Sequence, residues 1–322
     1  MLWPLLALLA LLGCHPHVDV SFLQPADLTL PADLVDLSVV DRPASAESMV
    51  VAGSLKAELY ESSRLTLVDE DLARAAARLV VLTRPAALSA ADISTLCRES
   101  GADGLAVIES ARLSSSDETT VEEKEVEKNG VVRKVNVYTL TRTLRARADL
   151  TLTDCDGTQL DTFTSDLGDT LSATGRSEAE ARGSLDPDEE AALGAELLAG
   201  LGARYAAHIV PTWASGRRAY FRSGHPDLTA GHQALQDDKL QRAEKLWRSV
   251  WDTSTDPKER GRAAFNLAVL AEVQADVPTA LQWLRSARGQ LGDRALVLDY
   301  RTTLRQRKAT EQVVDQQLMT SP

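Results

Sequence analysis

Hydrophobic positions along the chain change period twice, and each change marks a change of architecture. Over the first stretch, short apolar runs alternate with helical spacing. Val35-Asp36-Leu37-Ser38-Val39-Val40 alternates and then runs apolar, as a strand does in a half-covered sheet. Ala52, Leu55, Ala57 and Leu59 predict a short helix reaching about Ser62, Arg64 to Val68 a second strand, and residues 70–79 a weaker helix. After Pro85, Ser89 is an N-cap with Asp92 three residues on, and Gly101 is that helix's stop. Ala102 to Ile108 then reads as a buried strand. This β-α-β-α-β order predicts parallel strands joined by crossover helices.

The second regime has period two. Residues 114–128 are rich in Ser, Glu and Thr, Asn129-Gly130 reads as a two-residue hairpin turn, and Val131 to Asp154 is one long alternating run. Leu140, Leu144, Ala146, Ala148, Leu150 and Leu152 share one face of it. At about 3.3 Å per residue that run reaches nearly 80 Å, against about 45 Å for a domain of some 200 residues. The hairpin insertion, residues 114–140, therefore bends sharply or projects as an arm, to be read either as a contact element or as a solvated ribbon. Asp154-Cys155-Asp156-Gly157 is a turn, without the further oxygen ligands of a calcium loop, and residues 159–167 form the next strand. Asp186-Pro187 opens a helix whose Leu193, Leu197, Leu201, Tyr205 and Ile209 form one stripe for the sheet, and Pro211 ends it.

The third regime is helical and repeats. Ala243, Trp247 and Val250 recur 37 residues later as Ala280, Leu284 and Ala287, with Ala264, Leu267, Ala268 and Ala271 in the helix between and Pro278 near the junction. Small residues at helix contacts, with a large one four positions after the Ala, resemble a tetratricopeptide pair, its first unit degenerate around Gly231 and Ala234. Two such units are too few for a free-standing solenoid core, which predicts that they dock on the α/β domain, with residues 295–308 (Leu296, Tyr300, Leu304) as a capping helix and 310–322 as a mobile tail. The expected fold is thus α+β or α/β: a mixed-sheet domain over 35–223 with a long hairpin arm, then a tetratricopeptide-like helical domain over 224–309.

Composition adds an address. The run from Met1 to Gly13 is almost wholly apolar, and at about 1.5 Å per helical residue it is too short to span a bilayer. Leu11-Leu12-Gly13-Cys14 resembles the lipobox of bacterial lipoproteins, although no Lys or Arg precedes it. The resemblance implies a signal peptide over 1–13, acylation of Cys14 (palmitate among the chains), and, with His15 rather than Asp next, an outer-membrane anchor facing the periplasm or the surface. Residues 14–34, punctuated by Pro16, Pro25 and Pro31, read as a tether leading into the first strand. A formal charge of −12 argues against nucleic acid as a partner. Cys97 and Cys155 come to the same end of the predicted sheet in an oxidising compartment; two buried thiols are the expected state, with pairing left open.

No catalytic motif is found: no nucleophile elbow, zinc-protease helix, Cys-x-x-Cys or phosphate loop, and His15, His17, His208, His225 and His232 have no metal spacing. No cofactor is expected, and an enzyme built on acids such as Asp103 and Asp156 is the weakest reading. Arg217, Arg218 and Arg222, interleaved with Trp213, Tyr220 and Phe221, are candidates either for anion contact or for an edge strand pairing with nearby acids. The approach Gly101-Ala102-Asp103-Gly104, together with a long strand ending in Asp154-Cys155-Asp156-Gly157, is similar to the α/β domain of the curli-secretion-channel lipoproteins over residues 35–170. The helical repeats depart from those channel formers. With Trp213, Asn266-Leu267-Ala268 and Trp283, the whole resembles a lipoprotein family of unknown function known mainly in Bacteroidetes-type genomes. The reading is a membrane-anchored, non-enzymatic scaffold binding an unidentified envelope protein, or alternatively an oligomerising subunit of an envelope secretion complex.

Overall fold

The computed structural model describes residues 15–68, 88–128 and 130–319. Cys14 and the helix expected at 70–79 lie outside these. The fold is mixed α/β with a C-terminal helical region, in two compact units: residues 26–212 with residues 317–319, and residues 213–316 together with the described segment before Ala26. The boundary departs from the expected 35–223. The segment read as a tether contains β1 (His17–Gln24), which pairs with the strand following the α/β unit rather than with the main sheet.

The α/β unit is ordered β2 (Asp36–Asp41), α1 (Ala46–Tyr60), β3 (Thr66–Leu67), α2 (Ala90–Ser100), β4 (Gly104–Lys128), β5 (Val131–Asp154), β6 (Gln159–Gly175), α3 (Glu178–Gly183) and α4 (Pro187–Ile209). The sheet order is β3-β2-β4-β5-β6. β2 runs parallel to both β3 and β4, as the crossover pattern predicts, while β4-β5-β6 is an antiparallel meander. Caps fix the helices where the local signals put them. Ser89 and Asp92 form a reciprocal capping box, Gly101 closes α2 at φ 74°, and Asp186 caps α4 ahead of Pro187. The short α3, capped by Ser177, was not anticipated.

Period-two alternation divides the core. Leu37, Val39, Ala106, Ile108, Leu150 and Leu152 face α1 and α4, whereas Val40, Leu105 and Val107 face Ile93, Leu96 and Cys97 of α2. Gly202 lets α4 approach α1 closely, since a Cβ there would lie 2.4 Å from the Val51 carbonyl oxygen. Cys97 and Cys155 are joined in a disulfide with Cα atoms 5.7 Å apart, which corrects the expectation of two free thiols. The last turn of α2 and the turn after β5 meet at one end of the sheet, and this satisfies the distance condition that spacing alone left open.

The second unit consists of β1, β7 (Thr212–Ala219), α5 (Pro226–Gln236), α6 (Leu240–Thr253), α7 (Pro257–Val273), α8 (Val277–Leu291) and α9 (Ala295–Met319) as far as residue 316. Consecutive helices pack around one core that includes Trp247, Phe265, Ala268, Leu284, Tyr300 and Leu304. Gly231 admits the Trp247 ring, whose Nε1 would stand 2.2 Å from a Cβ at that position. α9 runs to Met319, so residues 310–319 are helix and not the tail expected. Its buried row Val297, Tyr300, Leu304, Arg307 runs at i+3 and i+4 steps and resumes seven residues on at Val314, and the Arg in that row hid the continuation.

Candidate interaction surfaces

The arm begins where the sheet narrows. β4 and β5 stay paired from Gly104 opposite Asp154 out to Lys128 opposite Val131, with one bulge between Ile108 and Ser110. β6 flanks β5 only as far as Tyr138 opposite Gly175. Beyond that line β4 and β5 stand as a two-stranded ribbon, so of the two geometries allowed by length the hairpin projects. A polar clamp fixes its base. Asp117 accepts hydrogen bonds from Arg142 Nε at 2.7 Å and Nη2 at 2.9 Å, Arg142 Nη1 reaches Glu190 of α4 at 2.6 Å, and Arg182 also pairs with Asp117. Arg142's hydrogen bonds hold the Asp117 carboxyl down to about 2, so the clamp stays charged at any physiological pH.

Pleating sorts the ribbon's side chains into two unlike faces. On one lie Glu123, Glu125 and Glu127 with Lys134 and Asn136, Lys134 pairing with Glu123 at 2.6 Å, and with them the exposed Val121 and Val132. On the other lie Val126, Val131, Val135 and Val137, with Lys124, Arg133 and Glu122 between them. Val126, Val131 and Val135 are 46%, 52% and 37% exposed, a row of aliphatic groups that nothing in the chain covers among the described residues.

In the helical unit strand alternation separates Arg217 from Arg218, and Arg222 lies beyond the end of β7. Arg217 and Arg222 are exposed and enter no ion pair among the described residues. Arg218 points inward and binds Glu272 with Nε at 2.8 Å and Nη2 at 2.9 Å. Its anion is therefore internal, and it is not available as an anion contact. Glu272 is fully buried and also accepts the Tyr300 hydroxyl at 2.8 Å. Burial, which disfavours the Arg218 charge, is outweighed by Glu272, so its pKa is raised. Burial, reinforced by Glu272, also pushes the Tyr300 hydroxyl far up. Asn266 is a further buried anchor: its side chain accepts from Phe221 N at 2.7 Å and donates to Phe221 O at 2.6 Å. Ala243, Trp247, Ala264, Leu267, Ala268, Ala280, Leu284 and Ala287 are all buried in this core.

With that geometry in place, two family models match the chain, both described as domains of unknown function. The DUF8603 model covers residues 40–221, more than half of the chain, and the DUF6340 model covers residues 229–310. The chain belongs to the DUF8603 family. No curated protein matches it. The DUF8603 segment runs from the end of β2 through the arm to Phe221, and the DUF6340 segment takes up α5 to α8 and more than half of α9.

Within the DUF8603 segment the open end of β2 is a groove of about 460 Å³ beside the start of α1. Helix N-termini attract anions, but here Glu47 occupies the first turn, and Glu109 in the groove is already paired with Arg42. The groove is not a phosphate site. At the other end of the unit His208 sits between Asp27, 3.2 Å from Nδ1, and Asp161, 3.3 Å from Nε2. Both ring nitrogens face carboxylates, which suits a latch on the segment around Asp27 better than proton transfer to a substrate. Among the described residues no group of His, Cys, Asp and Glu is placed to hold a metal. No described helix is long and apolar enough to cross a membrane.

Proposed function

We propose that this protein is a lipid-anchored, non-enzymatic interaction module of the bacterial cell envelope, with the β4-β5 arm as its contact element. The observation that carries the reading is the ribbon's uncovered valine row. An isolated two-stranded hairpin is marginal in water, and exposed aliphatic strands with open edges are features that proteins ordinarily cover. A partner laid on the Val126-Val131-Val135-Val137 face supplies that cover, while the acidic opposite face keeps the arm soluble. The helical unit is tetratricopeptide-like in this reading. Buried Ala243 and Ala280, Trp247 and Leu284, and Val250 and Ala287 keep the 37-residue offset, and Gly231 supplies the small-against-large contact expected of such pairs.

The anchor rests on Leu11-Leu12-Gly13-Cys14. Intact mass of the detergent-extracted protein is expected to begin at Cys14 and to carry two or three acyl chains, a mass lost in Cys14→Ser. An unacylated chain would remove the tether from the proposal.

The contact role is tested with a photo-crosslinking residue at Val126 or Val135 in living cells, beside the same residue at exposed Thr229. Adducts of defined mass from the two arm positions alone are expected. Equal labelling from all three positions, or none, would refute the arm's role. An adduct of twice the chain's mass would favour the second reading, an oligomerising subunit, in which the open β4 edge pairs with another copy.

A further inference from the structure

Net charge hides a strong local asymmetry. Residues 285–308 hold seven basic residues (Arg285, Arg288, Arg294, Arg301, Arg305, Arg307, Lys308) against two acids, Asp293 and Asp299, in a chain of net charge −12. Four of the seven line one cleft. Between α8 and α9 lies a cleft of about 310 Å³ bounded by Leu281, Leu284, Arg285, Arg288, Arg301 and Arg305. Helical spacing builds it: Leu281, Leu284, Arg285 and Arg288 form one stripe at i, i+3, i+4 and i+7, and Arg301 and Arg305 are one turn apart on the neighbouring helix.

Like charges one turn apart repel, so four guanidiniums around an apolar floor are a costly arrangement for a chain with acids to spare. Among the described residues one of them has an ion pair: Arg288 binds Asp293, and Arg301 adds to the field on that same carboxylate. Arg285, Arg301 and Arg305 enter no ion pair among the described residues. Arg285 Nε instead reaches back to the Leu281 carbonyl oxygen at 3.4 Å.

The geometry points to this cleft as a recognition site for an acidic segment of a partner protein, one that places carboxylates on the arginine rim on either side of an aliphatic side chain seated on Leu281 and Leu284. Asp293 on Arg288 is the internal precedent for the contact. Three features favour this occupant. Arginine's planar fork matches carboxylates in pairs, and an aliphatic floor suits a side chain and not a bare ion. Phosphate sites recruit backbone N–H groups at helix N-termini, whereas none of these arginines lies in the first turn of its helix: Arg288 is in the last turn of α8 and Arg301 nearly two turns into α9. A concave cleft reads a protruding group and not a flat lipid surface. The inference deepens the interaction reading above and rests on it for the ligand being protein, but it does not involve the arm.

The test is fluorescence anisotropy on the full chain in detergent. The probe is a labelled helical peptide of about 15 residues with Glu flanking Leu at i, i+3 and i+4 spacing, read in about 0.05 M salt. Binding is expected, weakened about tenfold or more by Arg301→Gln with Arg305→Gln and less than about twofold by Arg294→Gln, which lies outside the cleft. Replacing the peptide's Glu by Gln should weaken binding equally, a comparison that needs no protein variant. Absence of binding, or equal loss with Arg294→Gln, overturns the proposal. So does displacement by inorganic phosphate beyond that of sodium chloride at matched ionic strength, which would assign a small-anion site. Failure of the peptide while phosphatidylglycerol vesicles bind through Arg301 and Arg305 would assign a lipid surface instead. Peptide binding can fail while arm crosslinking succeeds, and the converse, so the two proposals fall separately.

Discussion

Glu272→Ala should destabilise the helical unit by about 3–5 kcal/mol, the largest loss expected from any single side chain in it. The carboxylate is fully buried and holds three donors: Arg218 Nε at 2.8 Å, Arg218 Nη2 at 2.9 Å and the Tyr300 hydroxyl at 2.8 Å. Removing it leaves a guanidinium with only 14% of its side chain exposed and no counter-charge, and returns Tyr300 to its 3.3 Å bond with the Ala268 carbonyl oxygen. Truncating Arg218 instead strands a buried carboxylate and should cost a similar amount. Replacing both, as Arg218→Met with Glu272→Leu, removes the desolvation penalty along with the attraction and should fall within about 2 kcal/mol of the parent. Because burial, reinforced by Glu272, pushes the Tyr300 hydroxyl up, it remains a donor throughout the neutral range. Urea unfolding read by tryptophan fluorescence isolates the unit, since Trp213, Trp247, Trp251 and Trp283 all lie in it. A loss below about 1 kcal/mol for Glu272→Ala would mean that the network is not a stability element.

The same network shows what the sequence could and could not disclose. Local devices were legible: the Ser89-Asp92 box, Gly101, the Asp186-Pro187 start and the Asp154 turn each act within four residues, and each sits where its chemistry placed it. The small-against-large spacing of Ala243 and Trp247 with Ala280 and Leu284 was legible for the same reason. Arg218 was legible as a strand residue near an acid, but Glu272 lies 54 residues away in a helix whose neighbours are apolar, so only folding identifies it. The arginine cleft was missed because its members come in pairs from two helices, and each pair alone reads as a solvated face. A count of charge over residues 285–308 was the signal that would have found it. The hairpin's length was legible, but length left bending and projection open until the end of β6 at Gly175 opposite Tyr138 decided between them. The arm's two-faced charge depends on register, which the pairing out to Lys128 opposite Val131 shows and the pattern of Glu and Val then follows.

Breaking the Cys97–Cys155 bond should cost the α/β unit about 4 kcal/mol, from the loop-closure entropy of a crosslink spanning 58 residues. This bond matters more than its partially exposed site suggests, because among the described residues the layer it ties down is thin. α2 covers its face of the sheet with a small cluster, Val40, Ile93, Leu96, Leu105 and Val107 beside Cys97, whereas α1 and α4 share a far larger core on the opposite face. Without the crosslink, α2 is the element expected to open first, and its amides should lose hydrogen-exchange protection before those of α4. Cys97→Ala with Cys155→Ala reports the loss without adding a buried polar group, and dithiothreitol on the parent reports it without a mutation. The helical unit contains neither cysteine, so its tryptophan-monitored unfolding should be unaffected by either treatment. If the bond forms in the cell, iodoacetamide should leave the mass of the unreduced, extracted chain unchanged and add two alkyl groups after reduction. A stability change below about 1 kcal/mol on reduction, with α2 exchange unaltered, would show that packing alone holds this layer. The entropic argument would then have to yield to residual structure in the reduced unfolded chain.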